Sequence, residues 1–386
     1  MPAPPTPRLI FLVTEDWYFW SHRLPTARAA AAAGFEVAVA TRVAAHGERI
    51  RAEGFRLHPL PWRRGSLDPL AALRDVLAIA RLYRRERPAI VHHVAVKPAV
   101  LGALAAVLAG VPAVVTTLAG LGLSMSGRGL RAAAARLVLK GALALAGLGR
   151  RSVLVVQNRD DLERLSRGPL PPRRTQLVRG SGVDLGRFRP LPEPDGPVTC
   201  LQVSRMLTLK GVEELVEAVR RVRARGTDLH LLLAGDPDPE SAAAIPEESL
   251  RRWSAEPGIE WLGRVEDVAG LWARAHVAVL ASRGGEGVPK TLLEAAACGR
   301  PIVATDVPGT REVALPGRNA LLVPPGDAGA LAAALERIAA DPALRRTLAA
   351  ASRAVVEPEF GDAEVGRRMA ALYRSLAGRG DPPVTV

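Results

Sequence analysis

Short apolar runs recur along the chain, each followed by a stretch whose apolar positions repeat at helical spacing. Runs at Arg8–Thr14, Glu36–Thr41, Leu57–Leu60, Ile90–Val94, Val114–Leu118, Val153–Gln157 and Gln176–Val178 predict strands. The segments between them predict helices: one ending at Ala33 before Gly34, then Pro69–Arg87, Pro98–Ala109, Leu130–Ala146 and Arg159–Ser166. Glu15–Arg23 reads as a loop. A second series predicts strands at Val198–Val203, Leu229–Ala234, Ile259–Leu262, Val277–Ala281, Ile302–Thr305 and Ala320–Val323. Its helices fall at Gly211–Arg225, Val265–Arg274, Thr291–Cys298, 327–340, 342–356 and Glu364–Leu376. Apolar strands alternating with helices predict parallel sheets covered on both faces. Such sheets take ligands at the carboxyl ends of their strands.

Between the two series, residues 187–197 hold four prolines, which stiffen a connection and exclude a sheet centre. At 386 residues the chain exceeds one ordinary core. The expected division is an N-terminal domain over 1–190 and a C-terminal domain over 191–358. The formal charge of +13 calls for an anionic partner, such as a nucleotide or a lipid surface, unless it reflects a composition that uses arginine freely. The arginines are dispersed and resemble no nucleic-acid module, so no nucleic-acid partner is expected. Cys200 and Cys298 lie far apart in apolar surroundings, which favours a reducing compartment and suggests no metal site. The proline-rich start lacks the basic-then-apolar order of a signal peptide. The most apolar window, 99–123, is broken by Gly102, Gly110, Pro112, Gly120 and Gly122, and reads as helix, turn, strand and loop rather than a membrane span.

The chemistry concentrates in residues 282–299, Ser-Arg-Gly-Gly-Glu-Gly-Val-Pro-Lys-Thr-Leu-Leu-Glu-Ala-Ala-Ala-Cys-Gly. A strand enters a glycine-rich turn and leaves as a helix. The start of that helix, at Gly287, Val288, Pro289 and Lys290, presents backbone N–H groups, except at Pro289, suited to an anion. Glu286 and Glu294 bracket it. Carboxylates repel phosphate, so these two suit the hydroxyls of a phosphate-bearing ligand, as in a nucleotide sugar. In Val203-Ser-Arg-Met-Leu-Thr-Leu-Lys-Gly211, Arg205 follows a strand and Lys210 precedes a helix. Two cations there suit a departing diphosphate, whose charge grows as the sugar bond breaks. With them in place no metal and no cofactor are expected; the nucleotide sugar is the co-substrate.

Glu286 and Glu294, continued by Cys298-Gly299-Arg300-Pro301 and Pro308-Gly309-Thr310-Arg311-Glu312, resemble the retaining glycosyltransferases of family 4. Arg205 and Lys210–Gly211 match that family's spacing. The resemblance implies the GT-B fold: two doubly wound Rossmann-like domains facing a cleft, with the last helix (359–378) crossing back to the first. It implies catalytic roles for Arg205, Lys210 and Glu286. Glu286 would hold the donor-sugar hydroxyls, Glu294 the ribose, and the main chain at Arg264–Val265 the base. Side-chain roles for Glu266 and Asp267 stay open.

The first half resembles the branch acting on undecaprenyl-diphosphate-linked sugars in surface glycan assembly, through His92-His93-Val-Ala-Val-Lys97-Pro98 and Gly120-Leu121-Gly122. Many members carry His–Gly where this chain has Ala119-Gly120; His92 or His93 substitutes, or no side chain does. Each histidine reads equally well as packed. Arg23, at a helix start, is a candidate for the acceptor diphosphate and Asp16 for orienting the acceptor; the alternative is a capped, solvated loop. Trp17, Tyr18, Phe19 and Trp20 suit a membrane interface or a lipid acceptor.

Together these imply a hexosyltransferase that moves a sugar, from a UDP-sugar, to a polyprenyl-diphosphate-linked saccharide, peripheral at the anionic cytoplasmic face of the membrane. An epimerase or hydrolase on the same architecture, or a non-enzymatic basic membrane protein, are the alternatives.

Overall fold

The computed structural model describes residues 6–62, 68–118, 120, 130–147, 151–166 and 174–378. The chain forms two compact units, residues 1–182 with 362–386, and residues 183–361.

Unit 1 contains strands β1 (Arg8–Glu15), β2 (Glu36–Arg42), β3 (Arg56–Pro59), β4 (Ile90–Val94), β5 (Ala113–Leu118), β6 (Arg151–Val156) and β7 (Thr175–Leu177). They lie in the order β3-β2-β1-β4-β5-β6-β7, all parallel. Leu9 pairs with Val37 on one side and Ile90 on the other, so β1 is central. One face packs on helices Asp16–His22, Leu24–Ala32 and Asp362–Leu376 through Phe11, Phe19, Ala27, Val37, Met369 and Tyr373. The other packs on helices Pro69–Glu86, Val96–Ala109 and Leu130–Gly147.

Unit 2 contains β8 (Val198–Val203), β9 (Leu229–Ala234), β10 (Ile259–Trp261), β11 (Val277–Leu280), β12 (Ile302–Thr305) and β13 (Ala320–Val323). Their order is β10-β9-β8-β11-β12-β13, again all parallel. In each sheet the strand order reverses once: between β1 and β4, and between β8 and β11. Those switch points are where a doubly wound sheet opens a crevice at its carboxyl edge.

Two expectations, the boundary between the units and the loop at 15–23, are corrected. The units divide at Gly182/Val183, earlier than the expected boundary at 190, and the proline-rich segment lies inside unit 2. Phe188 is buried there, and the Leu191 amide donates to Cys298 O (3.1 Å). Burying Phe188 ties the segment to the core it adjoins. The return falls at Gly361/Asp362, and the final helix, Asp362–Leu376, belongs to unit 1. Gly366 lets it approach helix Leu24–Ala32 closely: a Cβ there would stand 2.8 Å from that of Ala29. Finally, Asp16–His22 is a helix rather than a loop. Phe19 is fully buried edge-to-face with Phe11 (5.8 Å), while Trp17, Tyr18 and Trp20 are half-buried, Tyr18 stacking on His22 (4.3 Å) and Trp20 on His46 (5.8 Å). Of the four aromatics, Phe19 alone is withdrawn entirely from the surface. Gly47–Ala52 and Glu247–Ser254, also helices, carry no expectation from the sequence.

Candidate active site

In unit 2 the loops after β8 and β11 are stitched together at the switch point. Ser204 and Arg205 leave β8, a single turn follows at Thr208–Lys210, and Gly211 opens helix Val212–Ala224. Gly211 has φ +65°, and a Cβ there would lie 1.9 Å from the carbonyl oxygen of Ala281 at the end of β11. Only glycine permits that approach. The Arg283 amide donates to Leu209 O (2.9 Å). Buried Gln202 bridges both loops, donating to Lys210 O (3.2 Å) and accepting from the Ala281 amide (3.3 Å).

This seam brings Lys210 to Glu286, 76 residues away, with Nζ 2.5 Å from Oε1. Ser282 Oγ donates to the same oxygen (2.6 Å). Arg205 Nη1 lies 2.6 Å from Oδ2 of Asp238, which follows β9. Both expected cations are therefore oriented by carboxylates at one edge of one sheet. Asp238 was not singled out from sequence; the signal available was an acid just past a strand end, in Gly235-Asp-Pro-Asp238.

Past Glu286 the chain reaches Gly287, buried Val288 and Pro289, and helix Lys290–Ala297, whose N-cap residue is Pro289. Gly299, at φ +73°, ends this helix region. The glycine turn rests on the short helix Pro308–Arg311: a Cβ on Gly309 would come within 1.4 Å of Gly287 O. Thr310 Oγ1 donates to Val307 O (2.8 Å), which fixes that helix start. This gives the Pro308-Gly309-Thr310 motif a physical role the sequence did not show. Glu294 is half-buried on helix Lys290–Ala297. Arg264 is exposed and Val265 half-buried in the loop after β10, which joins the β9 loop through the Gly235 amide and Gly263 O (2.7 Å). Asp267 accepts from the Gly270 amide (3.1 Å) as a helix cap.

The candidates in unit 1 fare differently. His92 and His93 lie inside β4, not at its end, and both are fully buried. His92 contacts Tyr373 Oη through Nδ1 and Thr117 Oγ1 through Nε2, each at 2.7 Å. His93 Nε2 lies 3.2 Å from Tyr83 Oη, and its ring fills the space a Cβ on Gly102 would take. Burial pushes His93 down to about 3, and burial, then Arg23 and His93, hold His92 well below its usual value. Both are core histidines on opposite faces of the sheet, a correction to their acceptor role. Asp16 is likewise buried, with Oδ2 accepting from the amides of Ala44 (2.8 Å), Ala45 (2.9 Å) and His46 (2.8 Å). It pins the loop after β2 instead of facing an acceptor. Lys97 pairs with Asp75 (3.6 Å) and lies over the Trp62 ring (5.7 Å). Gly120, at φ +86°, follows β5, whereas Ala119, Leu121 and Gly122 lie outside the described residues. Arg23 is buried, and its Nε and Nη2 make no hydrogen bond among the described residues. At the same switch point Ala95 holds φ +76° and ψ 171°, a backbone that alanine adopts only under constraint.

Two doubly wound parallel sheets, one with paired cations and a glycine turn at its switch point, define the GT-B class. The comparisons agree. Residues 8–147 match the family described as Glycosyl transferase 4-like, and residues 197–341 that described as Glycosyl transferases group 1. The chain belongs to these GT-B glycosyltransferases of family 4. It is 31% identical over 217 residues to the GDP-mannose-dependent monoacylated alpha-(1-6)-phosphatidylinositol monomannoside mannosyltransferase of Corynebacterium glutamicum, covering 50% of this chain and 55% of that protein. It thus spans about half the length of the first curated relatives it matches. A longer match, 24% identical over 355 residues, covers 89% of this chain and 92% of the N,N'-diacetylbacillosaminyl-diphospho-undecaprenol alpha-1,3-N-acetylgalactosaminyltransferase of Campylobacter jejuni. Among solved structures, Anabaena HepE in complex with UDP and glucose superposes with a TM-score of 0.78 at 18% identity, over 95% of this chain and 99% of that one.

Proposed function

We propose that this chain is a retaining glycosyltransferase of glycan biosynthesis, moving a hexose from a UDP-sugar to a polyprenyl-diphosphate-linked saccharide. The observation that carries the reading is the seam at the unit 2 switch point, where Lys210 and Arg205 stand oriented by Glu286 and Asp238. As the sugar bond breaks, negative charge grows on the leaving diphosphate. Fixed cations and the amides opening helix Lys290–Ala297 stabilise that charge more in the transition state than in the ground state, which is what accelerates the step. The leaving phosphate takes the acceptor proton, so the reaction asks little of a protein base. Glu286 and Glu294 hold the sugar and ribose hydroxyls, and the main chain at Arg264–Val265 holds the base. The two cations carry the electrostatic load, so transfer proceeds in excess EDTA.

The UDP assignment draws on the UDP complex of Anabaena HepE, and the acceptor on the diphospho-undecaprenol named for the Campylobacter relative. The Corynebacterium relative is named for GDP-mannose, so the donor test includes both bases. A thermal-shift panel of UDP-, GDP- and ADP-sugars reads binding as stabilisation. A shift with UDP-sugars alone, and transfer only when lipid-linked acceptor is added, is expected. Release of free nucleoside diphosphate without acceptor at the full rate would instead make the protein a hydrolase.

A further inference from the structure

The Glu286 carboxylate is held by one of its two oxygens. Oε1 accepts from both Lys210 Nζ (2.5 Å) and Ser282 Oγ (2.6 Å). Among the described residues no hydrogen bond falls on Oε2, and that oxygen is not sealed from solvent. One oxygen is therefore spent inside the protein and the other left open to a ligand.

The two donors do different work. Lys210 carries its charge on a flexible four-carbon stem, and that contact alone leaves the carboxylate able to turn. Ser282 is fully buried, with a short side chain. The backbone around it is fastened three times. Thr305 Oγ1 donates to Ser282 O (2.5 Å), the Arg283 amide to Leu209 O (2.9 Å) and the Ala281 amide to Gln202 Oε1 (3.3 Å). The Ser282 hydroxyl has a single proton and three acceptors in reach: Glu286 Oε1 at 2.6 Å, Leu209 O at 3.3 Å and Gly284 O at 3.4 Å. The nearest is also the charged one, so the carboxylate takes the proton. This bond ties the turn across its base. Between its ends lie Gly284 and Gly285, at φ +138° and +78°. Glycines of that kind let a chain turn but do not fix the side chain that leaves the turn; the bond from Ser282 does.

We propose that Ser282 is the positioning residue for Glu286: it selects which carboxylate oxygen stays open, and so how a donor-sugar hydroxyl can meet it. The proposal rests on the transferase reading above, in which Glu286 holds that hydroxyl. A carboxylate oxygen only accepts, so the hydroxyl supplies the proton. An acceptor free to turn holds it less well than one fixed in advance. Being fully buried, Ser282 acts through Glu286 and not on the ligand.

Calorimetric titration of the full chain tests it, with no acceptor needed. The probes are UDP and whichever of UDP-glucose, UDP-galactose and UDP-N-acetylglucosamine stabilises the chain most. Ser282→Ala is expected to weaken the UDP-sugar about tenfold, the size of one hydrogen bond to a charged group, while the Kd for UDP holds. Ser282→Cys keeps the volume and a weaker donor, so it holds the fold and falls between. In Ser282→Ala/Glu286→Ala the serine change costs nothing beyond the loss in Glu286→Ala, because the group it positions is gone. A structural role would instead weaken UDP in step with UDP-sugar, and its loss would add to that of Glu286→Ala. Either outcome, or wild-type UDP-sugar affinity in Ser282→Ala, would overturn the proposal and leave the transferase reading standing. A wild-type chain that binds none of the UDP-, GDP- or ADP-sugars would overturn both.

Discussion

At the scale of single residues, the two cations after β8 are held in unlike ways. Arg205 is exposed and paired with Asp238; Lys210 is half-buried and shares Glu286 with Ser282. Arg205 faces solvent, where such a pair adds little to folding, and without Lys210 the Glu286 carboxylate still accepts from Ser282, so removal of either cation should be felt in the reaction. Arg205→Ala and Lys210→Ala are each expected to lower kcat about 10²–10³-fold, the usual loss for one group aimed at developing charge. The thermal midpoint should hardly move; a loss of activity matched by a loss of fold would show a structural role instead. The histidines of β4 act in the opposite sense. His93 is pushed by burial from 6.5 to about 3. Below pH 6.5 the unfolded chain takes up a proton that the folded one refuses. Stability is therefore full above that pH and is lost as pH falls from 6.5 toward 3, by about 1.4 kcal/mol per pH unit for each such histidine. Thermal melts across that window should show the slope, and His93→Gln should flatten part of it.

At the scale of elements, glycine decides how closely two loops approach. Gly211 and Gly309 each stand where a Cβ would strike backbone. Backbone cannot swing aside as a side chain can. Gly211→Ala must therefore open the seam between β8 and β11, in addition to forcing alanine to φ +65°. A cost of about 1–3 kcal/mol is expected, read as a lower thermal midpoint, together with a fall in kcat as Lys210 leaves Glu286. Unchanged stability would show that the loops give way. The glycines of 284–287 were legible in the sequence as a turn. Their support by Gly309 was not, because nothing in Pro308-Gly309-Thr310 states which loop rests against it. Helix Asp16–His22 was missed for a related reason. Four adjacent aromatics have no amphipathic period until Phe11, Phe55 and His46 supply their neighbours.

At the scale of the whole molecule, unit 1 is closed by a helix from the far end of the chain. Val365, Met369, Leu372, Tyr373 and Leu376 complete its core, and Tyr373 meets His92 across 281 residues. Deleting 362–386 uncovers that core, and the shortened chain is expected in the insoluble fraction. Tyr373→Phe is the milder probe: it leaves His92 short of one buried partner, at about 1–3 kcal/mol. Soluble, monodisperse truncated protein would show that unit 1 closes without the helix.

The sequence by itself determined the two βα series, the parallel class of both sheets and the crowding of candidate site residues near 205–210 and 286–294. These follow from local spacing, from apolar runs, and from where glycine and proline stand. Only the tertiary structure decided that Lys210 meets Glu286, that Asp238 orients Arg205, and that His92, His93 and Asp16 belong to the core. Each of those depends on which strands become neighbours and which side of a sheet a residue faces. Pairing between distant segments sets both, and no local pattern encodes it.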